Sequence, residues 1–104
     1  MILVTTDYIS GNELETLGLV TGSTVRSKDL AVDVMQGLKS LIGGELKAYT
    51  EMMDEARALA TKRMMATAKK MGADGIVSIR YATTAIAQNA SEIIVYGTAV
   101  KFKG

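Results

Sequence analysis

Cysteine and histidine are both absent from this 104-residue chain, and each absence removes a class of chemistry. Without cysteine there is no disulfide framework, no thiolate metal site and no thiol redox role. Without histidine a Ser-His-Asp triad cannot be assembled, and the nitrogen and sulfur ligands that zinc and related ions favour shrink to methionine thioether. Charge is sparse as well: 22% of the residues are Asp, Glu, Lys or Arg, the formal net charge is +1, and no long basic run occurs. The electrostatic footprint of a nucleic-acid binder is therefore missing, and neither DNA nor RNA is an expected partner. No stretch approaches the ~20 apolar residues that span a bilayer, so no membrane partner is expected either. The opening MILVTT lacks a basic flank and a cleavage site and is too short for a signal core. It reads as a mature N-terminal strand, which makes the cytoplasm the expected location. The glycines match neither a P-loop nor a dinucleotide fingerprint.

What the chain does have is apolar surface. Hydrophobic residues make up 48% of it and the mean hydropathy is +0.19, high for a chain of this size. A single domain spanning residues 1–104 is expected, with some of its apolar surface covered by further copies of itself.

The longest helical signal runs from Gly43 to Gly72. At about 100° per residue, Tyr49, Met52, Met53, Ala56, Ala60, Met64, Thr67 and Met71 fall on one side and form the expected core stripe. Glu51, Glu55, Ala58, Lys62 and Lys69 form the opposite, solvated row, acids toward the N-terminus and lysines toward the C-terminus, as the helix dipole favours. No proline interrupts the run, Gly44 suits the N-cap, and Gly72 suits a left-handed C-cap.

Around this helix the chain reads in order as strand, strand, helix pair and hairpin. Ile2 to Thr6 is a short strand; Ser10, Gly11 and Asn12 signal a turn, and Ser10 with Glu13 makes a weak capping box. Leu17 to Arg26 is a second strand in which Gly18 and Gly22 flank Val20 on its own face, marking a bulge or a close backbone approach. From Ser27 the period becomes helical, with Ser27 or Asp29 as N-cap and Leu30, Val34, Leu38, Leu41 and Ile42 in register, until Gly43 and Gly44 break this first helix from the long one. Two alternating segments follow, with Val77, Ile79, Tyr81, Thr83 and Ala85 sharing one face of the first and Ile94, Tyr96, Thr98, Val100 and Phe102 one face of the second. Gln88, Asn89 and Ala90 join them. The expected fold is α+β in two layers, a helical crossover on a mainly antiparallel sheet. The sheet face away from the helix, carrying Ile76, Arg80 and Ile86 or their alternates, is too apolar for water.

Several segments together resemble one family. They are Thr5 and Thr6; LGLVTG at Leu17 to Gly22, followed by Val25 to Ser27; Gly43 and Gly44 with Tyr49, Ala56 and Arg57; MGADGIV at Met71 to Val77; and GTAV at Gly97 to Val100. Over nearly its whole length the chain is similar to the YbjQ family, small bacterial and archaeal proteins catalogued as heavy-metal-binding. The resemblance implies a dodecin-like subunit in a pentameric ring. It implies no catalytic mechanism and no defined set of metal ligands.

The residues that could carry chemistry each have a structural reading beside the functional one. Met52, Met53, Met64, Met65 and Met71 supply thioethers suited to Cu(I)-like ions, but no pair is three or four apart, and the eleven residues from Met53 to Met64 span roughly 16 Å of helix. Filling the core is the stronger reading. Glu51 and Glu55, with Asp54 and Glu45 nearby, could hold a hard cation; a solvated helix face explains them with less. Arg26, Arg57 and Arg80 could bind an anion or a carboxylate at a subunit boundary, and structural pairing is favoured. Tyr49 and Tyr81 pack or line a pocket. No catalytic or metal residue is therefore assigned, and no cofactor. The leading reading is a homo-oligomer, pentameric through the resemblance, that binds a metal ion or small ligand. A structural module recruiting a protein partner comes second, and an enzyme working through a buried Glu or Lys third.

Overall fold

The computed structural model describes residues 1–27, 44–87 and 90–104. Strand β1 is Ile2–Leu3, β2 Leu14–Ser27, helix α1 Gly44–Lys70, β3 Gly75–Ala87 and β4 Ala90–Phe102. The four strands form one mixed sheet in the order β1-β3-β4-β2. Both β4 pairings are antiparallel, and β1 runs parallel to β3. Among the described residues one helix packs on a four-stranded sheet, which is the α+β class expected. The first predicted helix, with Asp29, Leu30, Val34, Leu38, Leu41 and Ile42, lies outside the described residues, as do Gln88 and Asn89.

Helix α1 has the expected limits, and its end has a clear chemical cause. Gly72 adopts φ 81°, its N–H donates to Lys69 O at 3.0 Å, and Ala73 N–H reaches back to Ala68 O at 3.1 Å. Those two bonds satisfy carbonyls that the last turn leaves free, in the pattern a left-handed glycine permits. The buried stripe is Ala56, Ala60, Met64 and Ala68, each fully enclosed. Met52 and Met53 are half-buried, whereas Thr67 and Met71 are exposed, contrary to expectation. Steps of four residues hold the contact seam on one line, and Thr67 lies off it; Met71 stands past the helix end. The expected solvated row, Glu51 to Lys69, is exposed throughout.

The stripe lies on β2 and β4. Small helix residues let the two layers approach, and Gly22 completes the approach from the sheet side. A Cβ built on Gly22 would sit 2.6 Å from Met64 N and closer still to Ala60 O, both atoms of the helix backbone. The close approach expected of a strand glycine is here. Gly18 takes the other role: φ is 143° and the β2–β4 register shifts between Thr16 and Gly18, which marks a bulge. Arg63 ties the layers at the flank, donating from Nη1 to Ser23 O at 2.7 Å.

Three expectations change. Leu14 already pairs with Phe102, so no helix follows the Ser10 and Glu13 capping box; Asn12 N–H instead closes a turn on Ile9 O at 3.1 Å. Ser27 is the last rung of β2, opposite Ala90, and the helix it was expected to cap lies outside the described residues. Ala90 belongs to β4 and pairs with Ala87, which leaves a two-residue connection. The single face expected for Val77 through Ala85 is split by a register shift between Val77 and Arg80, where Ser78 has φ 55°. Ile76 and Ile79 consequently join the helix-side core, while Val77 joins Ile9 and Val100 in a small cluster on the other face. One extra residue reverses the alternation of everything beyond it.

Candidate functional site

The methionines are distributed as core residues. Met64 is fully buried, and Met53 and Met65 pack partly buried on the same cluster of Val20, Ala60, Ile76 and Val95. Met71 is exposed at the opposite end of the helix.

The carboxylates do not converge. Glu51, Asp54 and Glu55 are exposed, and Asp54 is engaged by Arg57 one turn on. Glu45 and Tyr49 have side chains outside the described residues. Among the described residues, no group of three or more Asp or Glu side chains is placed to hold a metal ion. Among the described residues the donor set of one chain thus does not fit a heavy-metal centre, for want of histidine and cysteine in the sequence and for want of clustering.

Many residues of the recognisable motifs serve as joints of the fold. Thr6 O accepts from Ser78 N–H at 2.8 Å, and Thr5 O accepts from Arg80 Nη1 at 3.0 Å, so both hold the N-terminal strand along β3. Arg80 Nη1 also reaches Ile79 O at 2.8 Å. Asp74 of MGADGIV accepts from Phe102 N–H at 2.8 Å and donates its own N–H to Val100 O at 2.8 Å, locking the helix exit onto β4. Tyr81 shares a hydrogen bond with Thr61 at 2.8 Å. Arg26 differs: its Nε is enclosed without a partner, and so is the hydroxyl of Thr24, two residues before it.

The sheet face away from α1 is the other unspent feature. Ile9 covers one end of it with Val77 and Val100, helped by Val4, Leu14 and Phe102. Beyond that cover the face stays open, with Leu19 71% exposed, Val25 51% and Tyr96 41%. Arg80 pairs across from Tyr96, which pairs in turn with Thr21, so an arginine, a tyrosine and a threonine form one row across the open face. Arg80 to Ala85 of β3 are exposed on both faces of the sheet. β2 ends the strand order, which leaves a 14-residue strand with a free outer edge among the described residues. Long open edges and faces of this kind are what assembly covers. Sequence periodicity pointed to this face as too apolar for water, but it could not place the bulge that decides which β3 residues share it.

Comparison with known proteins places this geometry. The model of a family described as "Putative heavy-metal-binding", YbjQ, matches residues 1–103. A UPF0145 protein of Clostridium novyi is 63% identical over 101 residues, covering 97% of this chain and 98% of its own. Another, of Alkaliphilus metalliredigens, is 63% identical over 102 residues, covering 98% and 99%. A UPF0145 protein of the archaeon Methanosarcina acetivorans is 50% identical over 102 residues, covering 97% and 96%. Among solved structures, a protein of unknown function of the DUF74 family from Pediococcus pentosaceus superimposes with a TM-score of 0.70 at 15% identity, covering 99% of this chain and 98% of its own.

Proposed function

The chain belongs to the YbjQ family, and from that premise we propose that it works as a homo-oligomer, a pentameric ring of dodecin-like subunits in the cytoplasm, each a single domain. Its role is to bind a small ligand or a metal ion at a place that one subunit does not complete.

The observation that carries this reading is surface left uncovered. One chain exposes 6688 Å², against about 5,700 Å² for a compact monomer of this mass. Its radius of gyration is 16.6 Å, where a compact chain of this length has about 13 Å. The excess fits the open face of Leu19, Val25 and Tyr96 and the free edge of β2. A second copy is a suitable cover for both, since a strand edge is satisfied by a strand edge and the exposed face mixes apolar and hydroxyl side chains with one arginine, Arg80, and one carboxylate, Glu92, of opposite sign. A ring also gives the family's metal label a physical route, because one carboxylate or thioether per subunit becomes a ring of donors around the axis.

Leu19→Glu tests the reading. Placing a carboxylate on a face that assembly buries, without a partner, costs about 3 to 5 kcal/mol, hence an association at least about 100-fold weaker. Sedimentation velocity over a dilution series should show the variant as smaller species where the parent protein remains assembled. Assembly equal to the parent's would mean that copies do not meet through this face. Elemental analysis of protein purified without chelator then separates the two ligand classes: a metal retained at a fixed ratio per ring favours the ion, and none favours a small molecule.

A further inference from the structure

We propose that Arg26 and Thr24 are the receptor for a tetrahedral oxyanion, held between β2 and the N-terminal half of α1. The inference takes up the ligand-binding part of the reading above by naming a ligand class, but its site lies within one subunit and does not depend on assembly.

Two polar atoms are enclosed without hydrogen-bond partners among the described side chains, Thr24 Oγ1 and Arg26 Nε. They belong to the same strand and the same face. Val20 lies in the helix-side core, Gly22 meets the helix backbone, and the alternation continues to Thr24 and Arg26. Thr24 is only 3% exposed. A buried hydroxyl and a buried guanidinium N–H both lose their hydration on folding and ordinarily recover it from an acceptor. Neither does so here.

The surroundings select the sign and the shape of the missing acceptor. The pairing puts Ile93 beside Thr24 and Ser91 beside Arg26, with Thr83 and Ala85 next along the same rows. None of these is acidic, so the arginine has no carboxylate from the neighbouring strands on its own face. Glu92 pairs with Val25 and therefore belongs to the opposite face. The helix runs against β2, Met71 meeting Gly18 and Met64 meeting Gly22, so the turn nearest Thr24 is the one bearing Ala56. Alanine there takes up little room and offers no competing polar group. Arg26, Thr24 and Ser91 together provide one cationic fork and two hydroxyls. That set donates to an anion and has little to offer a cation. Guanidinium presents its N–H groups in a planar fork that matches two oxygens of one oxyanion, and the hydroxyl of Thr24 supplies a third direction.

Two sources share this chemistry: phosphate, free or as part of a metabolite, and the oxyanion of a heavy metal such as molybdate. The test uses the full-length protein, labelled with ¹⁵N, in chloride buffer at constant ionic strength. The Arg26 Nε–H cross-peak is assigned by its loss in Arg26→Lys and followed on adding inorganic phosphate or, separately, molybdate. The expected result is a saturable shift of that peak with at least one anion, and slower exchange of its proton. Thr24→Val should weaken the response by about tenfold, the worth of one hydrogen bond to a charged partner. In the absence of anion the same variant should melt no lower than the parent, since it removes a buried hydroxyl that had no acceptor. Saturation by phosphate alone identifies the first source and by molybdate alone the second; both outcomes support the receptor. No saturable response to either anion would overturn it. So would Thr24→Val titrating like the parent, or an Arg26 Nε–H already protected in anion-free protein. An anion response in the parent protein, with Leu19→Glu assembling like the parent, would leave the receptor standing while the assembly reading failed.

Discussion

Gly22→Ala should lower the unfolding free energy by about 3 kcal/mol, at the upper end of what overpacking one methyl group costs. The reason lies in what the methyl would meet. Both nearest atoms, Ala60 O and Met64 N, are main-chain atoms of α1, so no side chain can swing aside. Relief requires the helix to lift from β2, which opens the cluster of Val20, Ala60, Met64 and Val95. Folded domains have only about 5 to 15 kcal/mol in hand, so the loss is a large share. Urea unfolding at a fixed protein concentration measures it, the concentration being held because association and folding are linked. Ala60→Gly added to Gly22→Ala should restore nothing, since it removes a side chain and leaves the obstructing carbonyl. Recovery in the double variant, or a loss within about 0.5 kcal/mol for Gly22→Ala alone, would contradict the close approach.

Met64 separates a core residue from a ligand. It is fully buried among aliphatic neighbours, so Met64→Ala should cost about 2 to 5 kcal/mol through lost burial and the remaining cavity. Met64→Leu keeps nearly the same volume without the sulfur and should cost less than about 1.5 kcal/mol. The leucine variant is the informative one. If the thioether only fills space, the metal content of the protein, whatever it is, stays unchanged in Met64→Leu. Loss of a stoichiometric metal from a well-folded Met64→Leu protein would make the sulfur a ligand and overturn the packing account.

Much of the architecture was legible from local chemistry. Periodicity and the absence of proline set the limits of the long helix, and Gly72 ended it where a left-handed residue was needed. Gly18 and Gly22, flagged together as bulge or close approach, turned out to be one of each. The missing information was of two kinds. The register break at Ser78 depends on a left-handed serine, a backbone state that serine seldom adopts and that no neighbouring residue announces. Ile76 and Ile79 therefore share a face and Val77 lies opposite Ile79, against a uniform alternation. The parallel pairing of Ile2–Leu3 with Gly75 and Ile76 is a contact over more than seventy positions, made by a segment too short to carry a pattern of its own. Its anchors, Thr5 and Thr6 O to Arg80 and Ser78, are backbone acceptors, and composition says nothing about them.

The candidate site was less legible, for a related reason. Sequence named Arg26, Arg57 and Arg80 together, and only their surroundings separate them. Arg57 is matched by Asp54 and Arg80 by two carbonyls, whereas Arg26 keeps an enclosed Nε with no partner. Which arginine keeps an enclosed, unpartnered Nε is a property of the folded chain. The open face was anticipated as apolar excess, but the row of Arg80, Tyr96 and Thr21 needed the register to be seen.

Self-association is the claim on which the functional reading stands, and native mass spectrometry of chelator-free protein tests it most directly. The account predicts an intact ion of five 11.1 kDa subunits, persisting on dilution to low micromolar concentration. A monomer as the main species under those conditions would contradict it, because the open face and the free edge of β2 would then need no cover.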